Sequence, residues 1–102
     1  MDKQQAISLA SKFANQVLTE FSPKEIVLYG SYAKGNPNDL SDIDVAVIYD
    51  EYKDNRLESS GRLWRMAWDA EGFIEPVLLE ILYDPSGFVE NVRKHGIILY
   101  SA

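Results

Sequence analysis

The residue types that could do chemistry are Asp42 and Asp44, one residue apart, and a Gly30-Ser31 pair separated from them by ten residues. They fall within one stretch, IVLYGSYAKGNPNDLSDIDVAVIYD, which reads as strand, Gly-Ser turn, polar loop and second strand. Alternate residues of a strand point the same way, so the two aspartates face one side together. Two anions held side by side repel, and a cation between them relieves the repulsion. A Gly-Ser turn that leads into helical backbone offers free N–H groups to an anion such as phosphate. Carboxylates for Mg²⁺ beside a phosphate cradle are the parts of a phosphoryl- or nucleotidyl-transfer site.

The elements that must position these residues follow from periodicity. Ala6, Ile7, Ala10, Phe13, Ala14, Val17 and Leu18 recur at steps of three and four, which predicts an amphipathic helix over 3–20, stopped by Ser22-Pro23. Lys24–Tyr29 reads as a short β-branched strand, Ser31–Lys34 as a helical turn, and Gly35-Asn36-Pro37-Asn38 as its end. Ser31 is a natural cap for that turn, Asp39 a loop residue, and Ser41 a residue that caps or orients the next strand. Asp42–Tyr49 is that strand, with Val45 and Val47 opposite the aspartates. A charged loop over 50–56 leads to a helix over 56–70, where Trp64 and Trp68, four apart, read as core and Arg62 and Arg65 as surface charges. Phe73–Tyr83 is a third strand whose first half Pro76 should leave poorly paired. A last helix over Gly87–His95, capped by Gly96, precedes a short strand, Ile97–Tyr100, and His95 reads as structural at that helix end. The order α-β-turn-β-α-β-α-β predicts an α/β fold: a small mixed sheet with helices packed on it.

Composition narrows the function classes. The length, 102 residues with 46% hydrophobic, suits a single domain over 1–102 with a real core. There is no cysteine and one histidine, which excludes a disulfide framework, a thiolate zinc site and a Cys nucleophile. The N-terminus lacks the apolar stretch of a signal peptide and no run is long enough to span a membrane, so a cytoplasmic protein without membrane attachment is expected. Sixteen acidic against ten basic residues give a net charge of -6 and no evident basic face. That balance disfavours a nucleic-acid partner and suits a divalent metal or a basic partner protein.

The pattern Gly-Ser, ten residues, Asp-x-Asp between two strands resembles the nucleotidyltransferase superfamily of DNA polymerase beta. The short length resembles its smallest branch, the minimal nucleotidyltransferase (MNT) domains. The likeness is detailed over Ile26–Ile48, and the element order extends it over nearly the whole chain. It implies the polymerase beta-like fold and transfer of a nucleoside monophosphate, AMP from ATP, to a hydroxyl with release of pyrophosphate. By the same resemblance Asp42 and Asp44 bind Mg²⁺, two ions in all, and Gly30 and Ser31 hold the triphosphate. Lys34, one helical turn past Ser31, is placed either to meet a phosphate oxygen or to lie in solvent. A third carboxylate on a neighbouring strand completes the family's metal site and serves as general base. Glu75 is the candidate, and Glu80, five residues on, is the fallback on the other side of the strand.

Three functions compete. Domains of this branch often act as antitoxins that adenylylate a tyrosine on a HEPN-type toxin, an RNase. A catalytically weak module that neutralises its partner by contact would have no need of the intact set Gly30, Ser31, Asp42 and Asp44. Small-molecule adenylyltransferases of the aminoglycoside type resemble the chain in the motif but are much longer.

Overall fold

The computed structural model describes residues 1–36 and 42–102. The sequence expectations for Pro37, Asn38, Asp39 and Ser41 lie outside the described residues. Helix α1 (Lys3–Val17) opens on a reciprocal cap: the Asp2 carboxylate accepts from the Gln5 N–H at 2.8 Å, and the Gln5 side chain accepts from the Asp2 N–H at 2.8 Å. It ends at Val17 rather than reaching residue 20. The Thr19 and Glu20 amides fall back on the Gln16 and Val17 carbonyls at 3.1 and 3.0 Å, so the last turn tightens before Ser22-Pro23.

Strands β1 (Glu25–Tyr29), β2 (Ile43–Tyr49), β3 (Ile74–Glu80) and β4 (Ile97–Ser101) form one mixed sheet in the order β3-β2-β1-β4. β1 runs antiparallel to β2 and β4, and β2 runs parallel to β3. A parallel pair needs a crossover, and helix α3 (Arg56–Asp69) supplies it. The short α2 (Ser31–Lys34) follows β1, and α4 (Phe88–His95) precedes β4.

Strand alternation sorts the core into two layers. Ile26, Leu28, Ile43, Val45, Val47 and Leu78 pack with Phe13 and Val17 of α1 and Leu63 and Ala67 of α3. On the opposite face Val27, Ala46, Ile48 and Leu79 pack with Val89 and Val92 of α4. At eight residues α4 is about 12 Å long, too short to cover that whole face. Asp44 and Glu75, on the same parity as Ala46 and Leu79, remain half-buried and exposed respectively.

α4 is fixed at both ends. The Asp84 carboxylate accepts from the Val89 and Glu90 N–H groups at 2.9 and 3.0 Å, and Arg93 donates to the buried Glu25 of β1 at 2.6 Å. Gly96 terminates α4, but in an extended conformation (φ -79°, ψ 175°) and not in the left-handed cap expected of a glycine there. The requirement is space: a Cβ at Gly96 would stand 2.6 Å from the Val92 carbonyl and 2.9 Å from the Leu28 carbonyl. The helix therefore rests directly on β1.

Two further expectations are corrected. Pro76 does not leave the first half of β3 poorly paired, because pairing with β2 is continuous from Ile43–Ile74 to Tyr49–Glu80. β3 is an edge strand, so a residue without an N–H is tolerated there. Trp64 and Trp68 are not core: they are 48% and 89% exposed. α3 buries Ser59, Leu63 and Ala67 instead, a four-residue repeat one position before each tryptophan. Arg65 is exposed as expected, whereas Arg62 pairs with Glu20 at 2.6 Å and lies 4.7 Å over the Phe21 ring.

Candidate active site

Sheet register assembles the site. Tyr29 of β1 lies opposite Asp44 of β2, and Asp44 lies opposite Glu75 of β3. Residues in register share a face, so the three side chains form a row across three strands. Asp42 immediately precedes β2 and is exposed. The row is electrostatically crowded. The Asp44 carboxyl is pushed up to about 6 by burial first, then by its hydrogen bond with Glu75 and by the negative charges of Glu75 and Asp42. The Tyr29 phenol is pushed up to about 12 by burial and then by Asp44 and Glu75, which keeps it a neutral hydroxyl.

Gly30 makes the row possible. Its backbone (φ 79°, ψ -152°) is open only to glycine, and a Cβ there would run into Asp44 Oδ2. The aspartate fills the space that a side chain would take. Gly30 itself, and not Ser31, occupies the cap position of α2, with Ser31 the first helical residue. The turn is closed by the Lys34 N–H on the Gly30 carbonyl and the Asn36 N–H on the Ser31 carbonyl, both at 3.1 Å. The N–H groups of a first helical turn have no partner within the helix, so those of α2 start beside the carboxylate row. Lys34 is exposed and lines, with Tyr29, Gly30, Phe88, Asn91 and His95, a cavity of about 230 Å³.

A second opening lies at the other end of the row. Asp42 and Glu75 form its acidic side, and Trp64, Trp68, Gly72 and Phe73 its apolar side, around about 370 Å³. Glu80 is in neither opening. It stands at the far end of β3 on the opposite parity, where it pairs with Arg56 and accepts from the Tyr52 N–H at 3.3 Å. Glu75, not Glu80, is thus the acid beside Asp44.

Among the described residues no three carboxylate or imidazole groups already stand as a metal-binding constellation. The donor chemistry nonetheless suits a hard divalent cation. Asp44 is crowded, its carboxyl raised by burial and then by Glu75 and Asp42, and a cation placed among these acids would relieve their repulsion. Asp42 adds a third exposed carboxylate at the same end of β2.

Sequence reasoning missed Tyr29, Phe88 and Asn91 as neighbours of the Gly30 turn, and it read His95 only as a helix-end residue. Strand parity could have found Tyr29 once the β1–β2 register was known. The others reach the turn only because α4 packs on β1, with the Phe88 and Tyr29 rings edge-to-face at 5.7 Å.

Among solved structures, the chain resembles a Sulfolobus solfataricus protein assigned as a nucleotidyltransferase, at 22% identity and a TM-score of 0.71, over 97% of this chain and 83% of that one. At this identity the likeness shows a common fold. No curated protein sequence matches the chain at a significant level. The nucleotidyltransferase domain family matches residues 10–99, a span that includes the Gly30 turn, Asp42, Asp44 and Glu75, and the chain belongs to that family.

Proposed function

We propose that this nucleotidyltransferase moves AMP from ATP to a hydroxyl of another protein, a tyrosine of a HEPN-type toxin, and thereby acts as an antitoxin in the cytoplasm. The observation that carries the transfer reading is the in-register pairing of Asp44 with Glu75 beside a glycine against which Asp44 closes. The choice of a protein acceptor rests on the resemblance to minimal nucleotidyltransferases.

Each residue has a task that its position allows. The α2 turn at Gly30-Ser31 holds the triphosphate through backbone N–H groups, and Lys34 neutralises its outer charge. Asp42, Asp44 and Glu75 are the residues that would hold Mg²⁺, which when bound offsets phosphate charge and acidifies the acceptor hydroxyl. Glu75, exposed at the edge of the row, accepts the proton of that hydroxyl. The acceptor oxygen forms a bond to the α-phosphorus, the α–β P–O bond breaks, and pyrophosphate leaves with the bonding pair. The AMP so placed sets negative charge on the acceptor.

Co-expression with a HEPN-type toxin tests this. The wild type should rescue growth and add the mass of AMP to the toxin, and the Asp42→Asn/Asp44→Asn double variant should do neither. Full rescue by the double variant with no added mass would replace transfer by neutralisation through contact.

A further inference from the structure

Leu57, Trp64 and Trp68 are 85%, 48% and 89% exposed, and Phe73, just past α3, is 79% exposed. Steps of seven and four place the three helical residues on one narrow side of α3, with Gly61 between them adding no side chain. That side flanks the buried Ser59, Leu63 and Ala67, each tryptophan lying one position, about 100° round the helix, past a buried residue. Two tryptophans and a phenylalanine left in water form the kind of patch that marks an interaction site. Here it runs into the opening that Asp42 and Glu75 line.

We propose that this aromatic surface seats the acceptor protein and delivers its hydroxyl to the Glu75 end of the carboxylate row; the inference rests on the transferase reading and adds to it where and by what chemistry the acceptor binds. In-line displacement puts the attacking and leaving oxygens on opposite sides of the α-phosphorus. With the triphosphate running toward Gly30 and Ser31, the attacking oxygen must arrive from the Glu75 side. Among the described residues the two openings share no lining residue, which gives nucleotide and acceptor separate approaches.

Charge selects the occupant. Exposed Glu58, Asp69, Asp42 and Glu75 lie near the patch, against the exposed Arg65 and Arg56 of the same helix, and Arg56 is already paired with Glu80. A partner that fits presents apolar side chains flanked by lysine or arginine. Nucleic acid would bring phosphates against these acids. A second copy of the chain would bring the same acids against themselves.

The chain's only two tryptophans lie in the patch, so their emission reports its occupancy directly. The probes are a lysine-flanked, leucine-rich peptide bearing one tyrosine, its glutamate-flanked counterpart, and oligouridine RNA. The basic peptide should shift the emission to the blue and, with ATP and Mg²⁺, gain AMP, while the other two do neither. Trp68→Ser/Phe73→Ser, and separately Leu57→Ser, should raise the half-saturating peptide concentration, about tenfold for the double variant, with ATP affinity unchanged. Their high exposure makes loss of fold unexpected, and a circular-dichroism melt verifies it. Equal transfer to the peptide by wild type and double variant would overturn the docking surface and leave the transferase standing. Blue-shifted binding without transfer would leave the surface standing and sink the transferase reading. Equal binding of the acidic peptide or the RNA would overturn the charge argument. A wild-type dimer that the double variant dissolves, seen by sedimentation, would assign the patch to a second copy and overturn the proposal.

Discussion

The two ends of the carboxylate row are built by opposite means. At the Gly30 end the chain withholds side chains: a glycine in a left-handed conformation lets Asp44 close against the backbone, and the first turn of α2 follows at once. At the Glu75 end the chain extends large side chains from the solvent side of a helix whose other side is locked into the core. The first arrangement is fixed by backbone and suits a ligand of constant shape, as a triphosphate is. The second is written in exchangeable side chains and suits a partner that differs from protein to protein. Substitutions at the two ends should therefore fail differently, the first through geometry and the second through affinity.

The largest effect is expected at the backbone end. Gly30→Val forces a side chain into the Asp44 carboxylate at a φ of 79°. Strain of this kind costs about 2 kcal/mol of stability. Loss of the aligned N–H groups and of the aspartate position should lower transfer by on the order of 10²- to 10³-fold or more. Gly30→Ala should follow in the same direction, since the first carbon already collides. A Gly30→Ala protein with wild-type turnover in a pyrophosphate-release assay would show that Asp44 does not depend on the glycine.

At the other end of the row, the comparison sharpens between two glutamates of one strand. Glu75→Gln should cut the turnover number by roughly 10² while melting normally, because a general base is lost from an exposed position. Glu80→Gln should leave turnover intact and cost about 1 kcal/mol of stability, through its weakened pair with Arg56. Arg56 also donates to the Leu78 carbonyl at 2.7 Å, so part of the loss is absorbed. The reverse ranking would mean that the acid at the site lies on the other parity of β3.

How much of this was legible depends on how local the cause is. The order of elements and the α2 turn follow from short-range spacing, whereas Asp42, expected to open β2 beside Asp44, lies just before the strand. The placement of Glu75 beside Asp44 needs the β2–β3 register, yet parity alone already separates it from Glu80. Trp64 and Trp68 misled because four-residue spacing marks a helix face without saying which face is buried. Leu63 and Ala67 make an equally good face, and it is theirs that meets α1 and the sheet. Gly96 misled in another way. Its position after a helix suggested conformational freedom, whereas the need is close approach to β1, which only the folded chain contains. The same packing brings Phe88, Asn91 and His95 to the Gly30 turn from nearly sixty residues away or more, and no spacing in the sequence announces it.

The smallest expected effect probes the crowding itself. Asp44 has its carboxyl raised from 3.8 to about 6, by burial first and then by Glu75 and Asp42. A raised pKa means that the folded state holds the proton more tightly than the unfolded chain. The stabilisation is fully present below about pH 4 and is lost as the pH climbs through about 6. At neutral pH, without metal, the wild type therefore carries repulsion that Asp44→Asn removes. Because the carboxyl is partly solvated, the gain is discounted to about 1 kcal/mol. In chelator the variant should melt above the wild type at about pH 8 and lose that advantage at about pH 4. Mg²⁺ should then raise the wild type at the higher pH and leave the variant nearly unmoved, since only the wild type keeps the full set of anions for the cation to join. A melting difference that does not change with pH, or a variant that gains as much from Mg²⁺ as the wild type, would place the crowding somewhere other than Asp44. The Gly30 end would then lose this electrostatic distinction from the aromatic end.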